Sequence, residues 1–212
     1  SDYAAIKNGS YGKLMKAYYA KQDAEKLSGK GDTSQKLTLM KTSADSLKKS
    51  ADALNDSSLW EKKKIKKKDE KTGEEIEVED YDWDKITKAV KSFVEDYNDV
   101  VKEAGESNTK DVLRNASWMT GMTDKNSNML AKIGITIGKG NKLELDEDAL
   151  KQADISSLKT VFTGYNSFVS KISQKATGIS NAANRASATY TNNGTYSKTD
   201  SSLTSSKIDK EV

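Results

Sequence analysis

The sequence predicts a mainly α-helical protein, an antiparallel helical bundle or coiled coil with two short β-hairpins at about 62–81 and 133–145. Three observations predict it. Apolar residues recur at alternating steps of three and four over long stretches, the spacing of a helix with one buried seam. The chain contains no proline, so nothing removes a backbone N–H from a helix interior. Two segments switch to a period of two on either side of glycine-containing turns, as strands of a hairpin do.

Taken in order, a first helix is expected over Ser10–Leu27, opened by Ser10 and closed by Gly29 and Gly31, with Tyr11, Leu14 and Tyr18 on one face. A second carries Leu37, Met40, Ala44, Leu47, Ala51 and Leu54 in strict heptad spacing, and Asn55-Asp56-Ser57-Ser58 closes it. A third starts near Asp84 and carries Ile86, Val90, Phe93, Tyr97, Val100 and Ala104. A further helix is expected over Thr109–Lys132, weak between Thr120 and Ser127. The last keeps the spacing longest, through Leu158, Phe162, Tyr165, Val169, Ile172, Ala176, Ile179, Ala183, Ala186 and Tyr190, and as one helix would be roughly 50 Å long. The tail from Thr191 to Val212 is rich in Ser, Thr and Asn; it reads as disordered by composition, with a short helix from Asp200 as the alternative.

The most conspicuous charge feature is six lysines between Lys62 and Lys68. Alone, such a run suggests a phosphate-rich or anionic surface. The residues that follow argue for a hairpin instead. Asp69 to Gly73 is turn chemistry, and folding there sets Lys64 opposite Glu79, Lys66 opposite Glu77, Lys68 opposite Glu75 and Ile65 opposite Val78. Trp60 and Trp83 bracket the pair and are expected to cover its base. In the second hairpin, Ile133, Ile135 and Ile137 alternate with small residues, Gly138 to Asn141 turns, and Leu143 and Leu145 alternate again. The acidic run Asp146-Glu147-Asp148 then reads as the start of a helix, with Asp146 the N-cap and the other acids facing the positive end of the helix dipole. A calcium loop would need a third acidic ligand and a glycine where Leu150 and Lys151 stand.

Four stretches carry a family resemblance: "VKSFVEDYNDVV" (Val90–Val101), "DVLRNASWM" (Asp111–Met119), "LAKIGITIGKGNKLELDEDAL" (Leu130–Leu150) and "ISSLKTVF" (Ile155–Phe162). Their order, over about Asp84 to Ala188, resembles the C-terminal region of bacterial flagellar hook-associated protein 2, the filament-cap family. Phe93, Val94, Tyr97 and Asn98 match the first motif, and Leu113 and Arg114 the second. Ile133, Gly134, Ile135, Gly140, Leu143, Leu145, Asp146, Glu147 and Leu150 match the third, and Val161 and Phe162 the fourth. The resemblance implies a non-enzymatic, extracellular assembly protein of the flagellum or cell surface. It also implies sizeable β-rich head domains before this region, where this chain carries two helices and the charged hairpin.

Composition excludes much else. With no histidine and no cysteine, the usual zinc, haem and Cys- or His-dependent catalytic chemistries lack their groups. The net charge of +3, from 35 basic and 32 acidic side chains, is small for a nucleic-acid binder. No apolar run approaches the ~20 residues that span a bilayer, so no membrane insertion is expected. Gly29-Lys30-Gly31 and Gly138-Lys139-Gly140 lack the rest of a phosphate-binding loop. No catalytic, cofactor or metal residue is therefore assigned.

The organisation expected is 1–61 as N-terminal helices of the bundle, 62–81 as an inserted hairpin, 82–190 as the cap-like region and 191–212 as a tail, within one domain. The expected packing or assembly seam is Phe93, Tyr97, Phe162, Ile172, Ala176, Ile179, Ala183 and Ala186. The partners implied are sister subunits or flagellin and the filament. A different reading is a secreted or surface-displayed binding module that meets a ligand through Lys62–Tyr81. The chain opens on Ser1-Asp2-Tyr3 without Met, which reads as a piece of a longer protein with any export signal upstream.

Overall fold

The computed structural model describes residues 31–69 and 71–189. The helix expected over Ser10–Leu27, the tail from Thr191 and the seam position Tyr190 lie outside them. The described chain is mainly α-helical with two small antiparallel two-stranded sheets.

Helix α1 spans Ser34–Asn55, opened by Thr33, whose hydroxyl accepts from the Lys36 N–H at 3.2 Å. All six of its expected seam residues are buried. Asp56 stops it and in turn caps a 3₁₀ turn, Ser57–Trp60. That turn swings the Trp60 indole back over the helix end, where its N–H donates to the Leu54 carbonyl at 2.8 Å and its ring stacks on Phe162 at 5.4 Å. Strands β1 (Lys63–Lys68) and β2 (Glu75–Asp80) follow, paired in the register that the charges predict, Lys64 with Glu79, Ile65 with Val78, Lys66 with Glu77 and Lys68 with Glu75. Trp83 at the other side of the base is only half-buried and meets Tyr81 edge-on at 6.3 Å.

Helix α2 covers Trp83–Gly105, one residue earlier than expected because Asp82 is its cap, accepting from the Lys85 N–H. Helix α3 runs Lys110–Lys125 and α4 Ser127–Ala131. The stretch expected to be weak from Thr120 stays helical to Lys125, because Thr120 and Thr123 are buried and return their hydroxyls to the carbonyls of Ser117 and Met119. The chain breaks at Asn126. Then come β3 (Ile135–Ile137), a 3₁₀ turn with Gly140 and Asn141 at positive φ, β4 (Leu143–Leu145), α5 (Glu147–Gln152), α6 (Ile155–Phe162) and α7 (Phe168–Thr189).

The single long helix expected through Leu158–Tyr190 is therefore two helices. Gly164, at φ +97°, turns the chain between α6 and α7, and its N–H donates to the Asn55 side chain at 2.7 Å. Ser167 restarts the helix by accepting from the Ser170 N–H. The correction falls on Tyr165, which the bend throws outward to 82% exposure although its spacing fits the seam.

The long helices α1, α2, α3 and α7 pack as an antiparallel bundle. Hydrogen bonds from Ser173 to Asp52 and from Ser180 to Asp45 show α7 running opposite to α1. The α1 and α2 helices fold back on each other through the first hairpin, with Lys36 donating to the Glu106 carbonyl at 2.8 Å. An ion pair from Arg185 to Asp111 and the Lys175–Trp118 contact set α3 against α7. One apolar core joins all of these elements and the second hairpin. The first hairpin, in contrast, has only Ile65 and Val78 partly covered in its strands' apolar positions, and Ile76 is 40% exposed.

Candidate functional site: the clamped hairpin, the seam and the charged arm

The expected seam residues are placed in the interior. Phe93, Tyr97, Phe162, Ile172, Ala176, Ile179 and Ala183 are fully buried, and Ala186 is partly buried at the edge of the same core. Phe93 links them, meeting Tyr97 at 6.3 Å and Phe168 edge-on at 6.3 Å. The Tyr97 hydroxyl donates to Thr123 at 2.9 Å, and burial pushes its phenol well above the ordinary tyrosine range. Alanines at 44, 51, 176 and 183 let α1 and α7 approach closely.

Two residues from the matched motifs have specific structural work. Asn98, on α2, reads the backbone of Leu143 on β4 like a missing strand. Its amide donates to the Leu143 carbonyl at 2.9 Å and its carbonyl accepts the Leu143 N–H at 2.7 Å. Gly134 sits at φ +81° where a Cβ would lie 2.6 Å from the Asp146 carbonyl and 2.9 Å from the Leu150 nitrogen. Only glycine fits both the conformation and the space. The Gly134 carbonyl in turn accepts the Asp146 N–H at 2.8 Å, and the Asp146 side chain caps α5 by accepting from Asp148 and Ala149. The acidic run is thus a helix start joined to a clamped hairpin. Among the described residues no group of His, Cys, Asp or Glu side chains is placed to hold a metal.

Sequence reasoning missed three polar devices. Asp32 receives the Ser107 hydroxyl at 2.6 Å, the Asn108 N–H at 2.8 Å, and both the N–H and hydroxyl of Thr109 at 2.9 and 2.7 Å. It stitches the start of α1 to the α2–α3 turn. Desolvation opposes its charge, yet these donors together hold its carboxyl below the usual aspartate range. Asp45 and Asp52, a heptad apart on α1, accept from Ser180 and Ser173, a heptad apart on α7. Both carboxyls are lowered: burial opposes ionisation, and Lys41 and Ser180 at the first, Lys48 and Ser173 at the second, outweigh it. The paired heptad spacing was the signal available. Trp118, half-exposed, lies between Arg114 at 5.5 Å and Lys175 at 4.8 Å.

In the charged arm every residue of β1 and β2 is exposed except Ile65, Val78 and Asp80, which are partly covered. Its ion pairs run diagonally, Lys67 to Asp80 at 2.6 Å and Lys66 to Glu75 at 3.8 Å, and Lys62 lies over the Tyr81 ring at 5.7 Å. Lys64, Glu77 and Glu79 take part in neither ion pair. A shallow depression of about 290 Å³ lies at the opposite end of the bundle, lined by Thr109, Lys110, Asp111, Ala182, Arg185 and Ala186. No described helix is long and apolar enough to cross a membrane.

Residues 107–211, which include the clamped hairpin, match the family model for the C-terminus of flagellar hook-associated protein 2. The chain resembles the C-terminal region of flagellar hook-associated protein 2. No curated protein and no solved structure gave a significant match. The hook-associated protein 2 match begins at Ser107, so it takes in Gly134, Asp146 and the whole of α7. The Phe93–Asn98 motif on α2 precedes it, although Asn98 is bonded directly into the matched hairpin. The family supports a structural role of the hook-associated protein 2 kind.

Proposed function

We propose that the chain is a non-enzymatic assembly protein of the bacterial cell surface, acting outside the cell as a flagellar filament cap or a close counterpart. The observation that carries this reading is the match over 107–211, which covers the clamped hairpin and the long helix α7. The bundle then serves as a rigid stalk, with the seam from Phe93 to Ala186 holding its helices in register, and contacts with sister subunits or flagellin fall on its outer surface. The chemistry of the described chain suits that role: the polar clusters are capping and register devices, and each accounts for its own carboxylates.

The test is to label the purified chain and mix it with flagellar filaments and flagellin. Label concentrated at filament ends in electron micrographs is the expected result. Absence of label from the ends, at concentrations where a known cap protein labels them, would overturn it. One observation favours a second reading, a surface-displayed binding module: within the arm Lys62–Tyr81, the strands Lys63–Lys68 and Glu75–Asp80 are mostly exposed and stand outside the core, with Tyr81 packed against it at the base. In that case cells without flagella bind the chain, and excision of the arm abolishes binding.

A further inference from the structure

The first hairpin segregates its charge by strand. Strand β1 reads Lys-Lys-Ile-Lys-Lys-Lys and β2 reads Glu-Ile-Glu-Val-Glu-Asp. The sheet has two strands, so among the described residues each strand keeps one unpaired edge, one lined with lysines and the other with carboxylates. Unpaired edges are templates for another strand, and charged side chains normally guard them. Here the guard is selective. Two β1 edges brought together would set lysine against lysine, and two β2 edges carboxylate against carboxylate. A β1 edge meeting the β2 edge of another copy is the one pairing in which every charge finds its opposite.

We propose that this hairpin is a self-complementary coupling arm, with β1 of one copy adding as a third strand to the free edge of β2 in the next. The occupant is a second copy of this chain because its β1 is a segment of the right length, charge and face pattern for β2, as the intramolecular pairing demonstrates. Repeating that register on the outer edge sets the neighbour's lysines at 64, 66 and 68 against Glu79, Glu77 and Glu75. Because the period of a strand is two, the same register keeps the apolar residues on one face. The neighbour's isoleucine at 65 then falls beside Val78, and the stem of its lysine at 67 covers Ile76, now 40% exposed. Lys64, Glu77 and Glu79, which join neither ion pair within the hairpin, gain partners. Each copy offers one edge of each sign, so the contact is head-to-tail, building rings or open chains and not two-fold dimers.

Position in the fold agrees. The hairpin leaves the bundle where α1 ends and α2 begins, and the antiparallel α1–α7 packing puts Ser34 and Thr189 at the far end. The 22 residues of α1 separate the two ends by roughly 33 Å.

The experiment uses the purified chain alone, so its result is separable from that of the filament labelling: a chain that marks filament ends yet stays monomeric would sink this inference and leave the cap reading standing. Sedimentation velocity over a concentration series should show species larger than dimers at ~0.05 M salt that dissociate at ~1 M, where the Debye length shrinks to about 3 Å. The chain has no native cysteine, so single cysteines report the contact cleanly. Lys66→Cys and Glu77→Cys proteins, each altered at one exposed position, are mixed and oxidised. The mixed disulfide should exceed the roughly two-fold statistical ratio over either homodimer. A statistical mixture, a dominant Lys66→Cys or Glu77→Cys homodimer, salt-insensitive association, or a monomer throughout would each overturn the proposal. Binding of the chain to anionic vesicles in preference to itself would do the same.

Discussion

At the scale of single residues, a few polar side chains fasten neighbouring elements to one another at defined backbone positions. Asn98 is the clearest case, since both hydrogen-bonding ends of its amide are spent on one backbone unit of β4. Asn98→Ala strands the Leu143 N–H and carbonyl in a partly buried site, at a cost of about 1–3 kcal/mol. Urea melts should show that loss, and a change in unfolding free energy of less than a tenth of it would mean that the two hydrogen bonds do not hold β4 to α2. Asp32 makes a pH prediction. Its carboxyl is held below the ordinary aspartate value despite burial, so its stabilising effect is fully present above the unfolded pKa, ~3.9, and drains away as pH falls through the lower folded value. Asp45 and Asp52 add in the same direction. Asp96 runs against them, because desolvation first, then Asp99 and Glu95, raise it, and its protonation favours the fold as pH falls. Denaturation midpoints should therefore drop below pH 4, with a shallower drop in Asp32→Asn. Identical pH profiles for the two proteins would contradict the assignment. A match of Asn98 and Gly134 to a motif could be seen in the sequence, but their work could not. Both act on backbone atoms tens of residues away, or across a β-turn whose closeness to α5 only the folded chain reveals.

At the scale of elements, the heptads were the legible part, because burial of one helix face imposes a period that any reader of the chain can recover. Every expected seam residue of α1 and α2 is buried, and the charges of β1 and β2 carried enough information to set their register. The α6–α7 break was not legible for the opposite reason. Tyr165 continues the three-four spacing by coincidence, and the decisive residue, Gly164, betrays itself only through a positive φ and a bond to Asn55 at the end of another helix. The two positions therefore make a contrast. Ile179 is fully buried between α7 and its neighbours, and Ile179→Asp both removes its apolar contacts and drives a carboxylate into the core. The loss should exceed about 4 kcal/mol, a large share of the ~5–15 kcal/mol that holds a domain together. Tyr165→Ser, at a site 82% exposed, should change stability by no more than ~0.5 kcal/mol. Guanidinium melts of both variants measure the contrast, and equal effects would mean that α7 does not bear on the core as described.

At the scale of the whole molecule, the bundle and the charged arm are physically separate problems. The bundle has one continuous apolar core built from α1, α2, α3, α7 and the clamped second hairpin, whereas among the described residues between Lys63 and Asp80 the arm contributes none that is fully buried. Its exposed ion pairs are worth little, ~0–1 kcal/mol each, and salt screens them. What seals this end of the bundle lies outside the strands: Trp60 stacked on Phe162 and bonded to Leu54, and Trp83 against Tyr81. The strand ends Lys63 and Asp80 face each other in the ladder, so a short Gly-Ser link across that gap, replacing residues 63–80, leaves both tryptophans and both helix caps in place. The excised protein should therefore keep its helical circular dichroism and melt cooperatively within a few degrees of the parent, since about 1 kcal/mol corresponds to only ~2–8 °C at these sizes. A collapse of the melting transition would make the arm part of the stalk's folding unit. If instead the bundle survives, the arm is free to be read for what it presents to solvent, and loss of salt-sensitive association in that same excised protein would locate the self-coupling surface on these two strands.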